Sequence, residues 1–268
     1  MSEVNATSPE RRGLPRLLWG MIVRPRATLE YLNERGGRTW LLPALLVVLL
    51  VILPTVVAAP ITAQQSREAV AAVQEQFGEE TTAEQQAQME QAMSMAASPL
   101  IITVFPAVGG AVGLVVGWLV WAGALYLASM ALGGRSAFGQ MFRTVVWAWL
   151  PYALRGLLQT IYILASGQLI TNPGLSGMVQ DTRSISEIVA APPSMSQVVL
   201  VAFLSRVDLF LVWNLTLLVI GVTVTTHLPR RKAVLVTLGV WLLLAVVSLL
   251  PALVGGFFAQ QFAVTGGP

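Results

Sequence analysis

Residues 40–59 read WLLPALLVVLLVILPTVVAA, a run without one charged side chain. A bilayer's hydrocarbon core is about 30 Å thick, and a helix needs about 20 mostly apolar residues to cross it. Lipid supplies no partners for backbone N–H and C=O groups, so such a run is read as a helix bonded within itself. Four further segments fit the same requirement. One lies within residues 100–132, and the others are near 145–165, 207–226 and 233–258. Charges interrupt the third and fourth. Prolines 43, 54, 106, 151 and 251 fall in or near these spans. Membrane helices tolerate proline because neighbours and local adjustments re-satisfy the freed groups. Only 11% of the residues are charged, against roughly a quarter in a soluble domain. Lipid must therefore cover much of the surface.

Lysine and arginine in short loops set orientation. The segment ahead of the first span holds Arg11, Arg12, Arg16, Arg24, Arg26, Arg35 and Arg38. The loop after the second span holds Arg135 and Arg143, and the loop after the fourth holds Arg230, Arg231 and Lys232. Five spans put these three regions on one side, with the N-terminus in the cytoplasm and the C-terminus outside. The opposite side has only Arg67 and Arg183. The first outer loop, about 60–98, carries Val70, Val73 and Phe77 at helical spacing. The pattern breaks at Gly78 and restarts at the Thr81-x-x-Glu84 capping box. It reads as two amphipathic helices, folded as a hairpin or extending the flanking spans. Its glutamates offer a docking surface to an extracytoplasmic partner or simply a solvated cap. The second outer loop is rich in Gly, Pro and Ser and reads as irregular.

The stretch GMIVRPRATLEYLNE at 20–34 lacks the continuous apolar core and small-residue cleavage site of a signal peptide. Leu14, Leu17, Leu18, Met21 and Ile22 share one helical face. Leu29 and Leu32 begin another after Pro25. Arg12, Arg16, Arg24 and Arg26 flank these faces. The pattern predicts interfacial helices with their apolar side in lipid and arginines toward anionic headgroups.

No enzyme motif is present. Cysteine is absent, and His227 is the one histidine, so thiolate sites and histidine clusters are excluded. No catalytic, cofactor-binding or metal residues are assigned, and no nucleic-acid partner is expected. The intramembrane polar candidates are Arg155, Arg206, Asp208 and Asn214. Charges at this depth face the bundle interior, water or each other. On spacing alone the preferred arrangement sends Arg155 and Arg206 to opposite interfaces, with MSQVVLVAFLS as an interfacial helix before the fourth span. The alternative is an Arg155–Asp208 pair near the midplane. Gly109, Gly113 and Gly117 repeat every four residues and form a small-residue face. Packing within the chain is its expected use, and association of two copies is the alternative.

LLWGMIVRPRATLEYL before the first span, SAFGQMFRTVVWAWLPYAL leading into the third, and RVDLFLVWNLTLLVIGVTVTTHLPRRKAVLVTLGVWLLL over the last two carry a resemblance. They resemble the bacterial branch of the Yip family of small polytopic membrane proteins. The resemblance implies a five-helix membrane domain with a cytoplasmic N-terminus in a bacterial cytoplasmic membrane. It also implies a membrane organiser or accessory subunit, with export machinery as partner. The Asp-Leu-Tyr-Gly-type segment of eukaryotic members is not evident here, so Rab GTPase binding is not carried over.

The expected architecture is all-α. Residues 1–39 form a cytoplasmic segment with interfacial amphipathic helices. Residues 40–268 form the five-helix membrane domain, with an extracytoplasmic helical hairpin at about 60–98. The expected function is non-enzymatic: a membrane organiser or accessory subunit of a membrane complex such as an ABC-type exporter, on a bilayer with an anionic cytoplasmic leaflet. The alternative is a small transporter or channel whose polar path uses Arg155, Arg206 and Asp208.

Overall fold

A computed structural model of the protein describes residues 13–77, 88, 91, 98–179 and 194–265. Among them, every regular element is helical.

Helices α1 (Leu14–Val23) and α2 (Pro25–Arg35) meet at Arg24, where Pro25 starts the second helix. Proline suits that position because its missing N–H would be unpaired in a first turn anyway. Gly20 and Thr28 touch at the bend, in a space that a Cβ on Gly20 would close. Gly36 and Gly37, both at positive φ, end the pair. Helix α3 (Leu41–Phe77) runs unbroken past Pro54 and Pro60. Of the two arrangements expected for the first amphipathic stretch, residues 60–77 take the one that extends the first span. The proposed restart at Thr81 lies outside the described residues.

A short π-helical turn, Leu100–Val104, leads into α4 (Phe105–Ala131). The third apolar segment is two helices, α5 (Phe138–Ala148) and α6 (Leu150–Ser166), broken at Trp149. Pro151 explains the break. It cannot donate to the carbonyl of Trp147, and its ring crowds the preceding turn. Helix α6 ends at Gly167, which takes the left-handed conformation that glycine adopts without steric cost. After a 3₁₀ turn (Gly174–Val179) come α7 (Met195–Leu204), α8 (Leu209–Thr226) and α9 (Arg230–Thr265).

Among the described residues, four helices are long and apolar enough to cross a membrane, over Leu41–Glu68, Leu100–Ala131, Leu209–Thr226 and Arg230–Leu250. The α5–α6 pair is too interrupted to count among them. It is also deeply buried, with Met141 and Val145–Ala148 almost wholly enclosed. The core joins these residues to Val47 of α3, Trp118, Ala122 and Leu125 of α4, and Leu217, Leu218 and Val222 of α8. Around it, α3 and α4 expose leucines and valines along much of their length, as helices bathed in lipid do.

Candidate functional site

Polar side chains inside an apolar bundle are the first candidates for function, because each is costly unless partnered. Asn214 is buried on α8, and its amide Nδ2 donates to the carbonyl of Ala148 at 2.8 Å. The reason lies in the α5–α6 break. Tyr152 N–H, which would bond Ala148 in a continuous helix, turns to Trp149 instead. Asn214 supplies the missing donor. Asn214→Leu should therefore strand a buried carbonyl and cost about 1–3 kcal/mol, read as a lower unfolding temperature in detergent.

Asp208 sits just before α8 with extended backbone and caps it, its Oδ1 accepting from Leu211 N–H at 2.8 Å. Its other oxygen, Oδ2, accepts from Arg155 Nη1 at 3.0 Å. The two side chains are 23% and 13% exposed. The preferred sequence expectation, with Arg155 reaching an interface alone, is thus corrected. Asp208 lies within reach because the α5–α6 segment and α8 run antiparallel, with Ala148 of α5 opposite Asn214 and Arg155 of α6 opposite Asp208. A single sequence reveals no such register. Arg206 takes a different course and donates to the carbonyl of Ser248 on α9 at 3.0 Å. The segment MSQVVLVAFLS expected to be a helix before α8 is helical as α7, packed on α9 and the 3₁₀ turn. The four polar candidates therefore divide into three separate ties between helices. They do not line one path.

A cleft of about 530 Å³ opens beside these ties, between α3, α4, α6, α8 and α9. Its wall is mainly apolar, with Trp121, Trp149, Tyr152 and Trp241 around Arg206. Gly113 and Gly117 belong to its α4 side. Here the expectation of tight packing within the chain is corrected. No described atom lies within 4 Å of a Cβ placed at Gly109, Gly113 or Gly117. The N-terminal half of α4 is exposed, and its buried residues begin at Trp118. Besides Gly20 at the α1–α2 bend, Gly156 and Gly221 are where helices come together. A Cβ at Gly156 would strike the Leu50 backbone, and one at Gly221 the Thr144 side chain. Beside Gly221, the hydroxyls of Thr144 and Thr225 bond at 3.0 Å. Neither glycine belongs to a repeat, so spacing gave no sign of them. Pro151, read from sequence as tolerated within a span, was the signal that could have revealed the break that Asn214 repairs.

The N-terminal pair also differs from expectation. Leu17, Met21, Leu29 and Leu32 were assigned to a lipid-facing surface, but they are buried in the protein core. Helix α2 packs on α8 and α5, and Leu29 lies against the Gly221 position. An apolar helical face looks the same whether lipid or protein covers it. Trp19, Ile22 and Val23 remain exposed, as do Arg16, Arg24 and Arg26. Arg12 lies outside the described residues.

Basic segments gather at one end of the bundle. Arg135 N–H bonds Thr226 at the end of α8, and Lys232 Nζ donates to Leu132 in the loop after α4. Arg26 and Arg230 border the same groove. The three regions grouped from their charge alone are thus neighbours in space.

The family model described as Yip1 domain matches residues 19–251. No curated protein and no solved structure matches the chain. The matched range takes in the α1–α2 bend, the polar ties and all four long apolar helices.

Proposed function

The chain belongs to the Yip1 domain family, and on that premise we propose that it is a non-enzymatic membrane organiser or accessory subunit. It acts by holding other membrane components. The supporting observation is how the polar groups of the bundle are used. Asn214, Asp208, Arg155 and Arg206 are each engaged in a tie that fixes one helix to another or caps one. A rigid bundle of this kind presents its outer surface as the working part. Gly109, Gly113 and Gly117 on α4 have no described neighbour within 4 Å of a Cβ position, and Gly113 and Gly117 border the mouth of the open cleft, so a partner helix docking over that mouth packs closely on α4.

In this reading α5 and α6 together make a fifth crossing, about 40 Å long at 1.5 Å per residue. The N-terminus and the basic end then lie in the cytoplasm, and the C-terminus lies outside. The gathered arginines support this orientation. The resemblance to bacterial members suggests a bacterial cytoplasmic membrane and an ABC-type exporter as partner. Co-purification in mild detergent after crosslinking tests the reading. Wild-type protein should bring down a membrane partner, and Gly113→Leu with Gly117→Leu should lose most of it. Recovery of the chain alone would overturn the accessory role, and recovery of a second copy would assign the face to self-association.

The cleft around Arg206 gives a second reading, a small transporter whose path passes Arg206 and not the Arg155–Asp208 pair. Proteoliposome flux that survives Arg206→Gln would remove it.

A further inference from the structure

A second cavity, of about 560 Å³, lies on the outside of the bundle between α8 and α9. Leu215 and Val219 of α8 and Val234 and Leu238 of α9 line it, and Arg26 and Arg230 close one end. On α8 the lining runs from Val212 to Val224, about 18 Å at 1.5 Å per residue. One leaflet's hydrocarbon is about 15 Å deep, half of the whole core. The groove is therefore about as long as one leaflet is deep. Its length and its mainly apolar lining suit one extended acyl chain.

The charged end fits the same occupant. Arg230 is the first residue of α9, so the positive end of that helix adds to its field. Arg26 is 74% exposed and engages Glu30 through Nε at 3.0 Å, an exposed i,i+4 pair of small worth. A guanidinium presents several N–H groups in a planar fork that suits phosphate oxygens. From the apolar groove of one-leaflet length and the two arginines at its end, we infer that it holds one acyl chain of an anionic phospholipid, with the phosphate between Arg26 and Arg230. Helix α2 thereby becomes part of a lipid site, because Arg26 reaches the groove only while Leu29 holds α2 on α8.

Full-length protein in neutral detergent, stripped of lipid, provides the test. Phosphatidylglycerol and phosphatidylcholine of equal chain length are titrated separately, and bound lipid is counted by native mass spectrometry. The expected result is one phosphatidylglycerol retained at least tenfold more tightly than phosphatidylcholine. Arg26→Gln with Arg230→Gln should erase that preference. Val219→Trp, which fills the groove and leaves both arginines, should lower retention of both lipids. Equal retention of the two lipids by the wild type would overturn the proposal. So would a preference unchanged in the double variant, or inorganic phosphate displacing the lipid as well as phosphatidylglycerol does. Each variant's unfolding temperature without lipid, close to wild type, separates lost binding from lost fold.

Discussion

Gly156→Leu should leave almost no folded protein. The variant is expected to elute from a sizing column as aggregate, while Leu157→Ala, one residue on, elutes as wild type. Helices α3 and α6 form the most extensive helix pair among the described residues, and Gly156 is where their backbones come closest. A Cβ there meets the carbonyl oxygen, the carbonyl carbon and the next Cα of the Leu50–Val51 link. Backbone cannot swing aside as a side chain can, so both helices must separate. Overpacking by side chains alone typically costs about 1–3 kcal/mol, and the cost here should exceed that. The site also has a chemical logic. Pro54 offers no N–H to the carbonyl of Leu50, four residues earlier. The glycine lets the α6 backbone approach that freed oxygen, the setting in which Cα–H···O contacts are common between packed helices. Gly156→Ala gives the intermediate case, and a wild-type elution profile and unfolding temperature for it would refute the close approach.

Removing one partner of the Arg155–Asp208 pair should cost about 3–5 kcal/mol, because the other charge is left in a mostly apolar setting. Asp208→Asn is the cleaner single change, since asparagine still caps α8. Arg155→Met removes the guanidinium and keeps much of its length. The double variant should recover much of the loss, giving a coupling of opposite sign to the single effects. Unfolding temperature in detergent across the four proteins measures it. Strict additivity would mean that the two groups do not sense each other. The same cycle bears on function. A purely structural pair predicts that partner recovery follows stability, whereas a transport path through the pair predicts flux lost even in the stable double variant.

The elements themselves were legible because each is a local matter. Residues 40–59 had to be a helix wherever they packed, and α7 and α8 follow from apolar runs divided by the charged stretch around Arg206 and Asp208. The α1–α2 bend was readable from Pro25. The ties between elements were not legible. Asn214 donates to Ala148, 66 residues away in the chain, and nothing at either position announces the other. The regular glycine repeat drew attention in the sequence, but it faces open space, while the isolated Gly156 and Gly221 carry the packing.

Taken by itself, the sequence determined the solvent. Long uncharged runs cannot be covered by so few charged residues, so the chain belongs in lipid, and its family match agrees. It also determined which segments share a sign of charge. Only the tertiary structure decided what each apolar face touches. Lipid and protein interior are equally apolar, so Leu17, Met21, Leu29 and Leu32 could have faced either. The structure gives them to the protein, and by doing so it carries Arg26 to the groove that Arg230 closes.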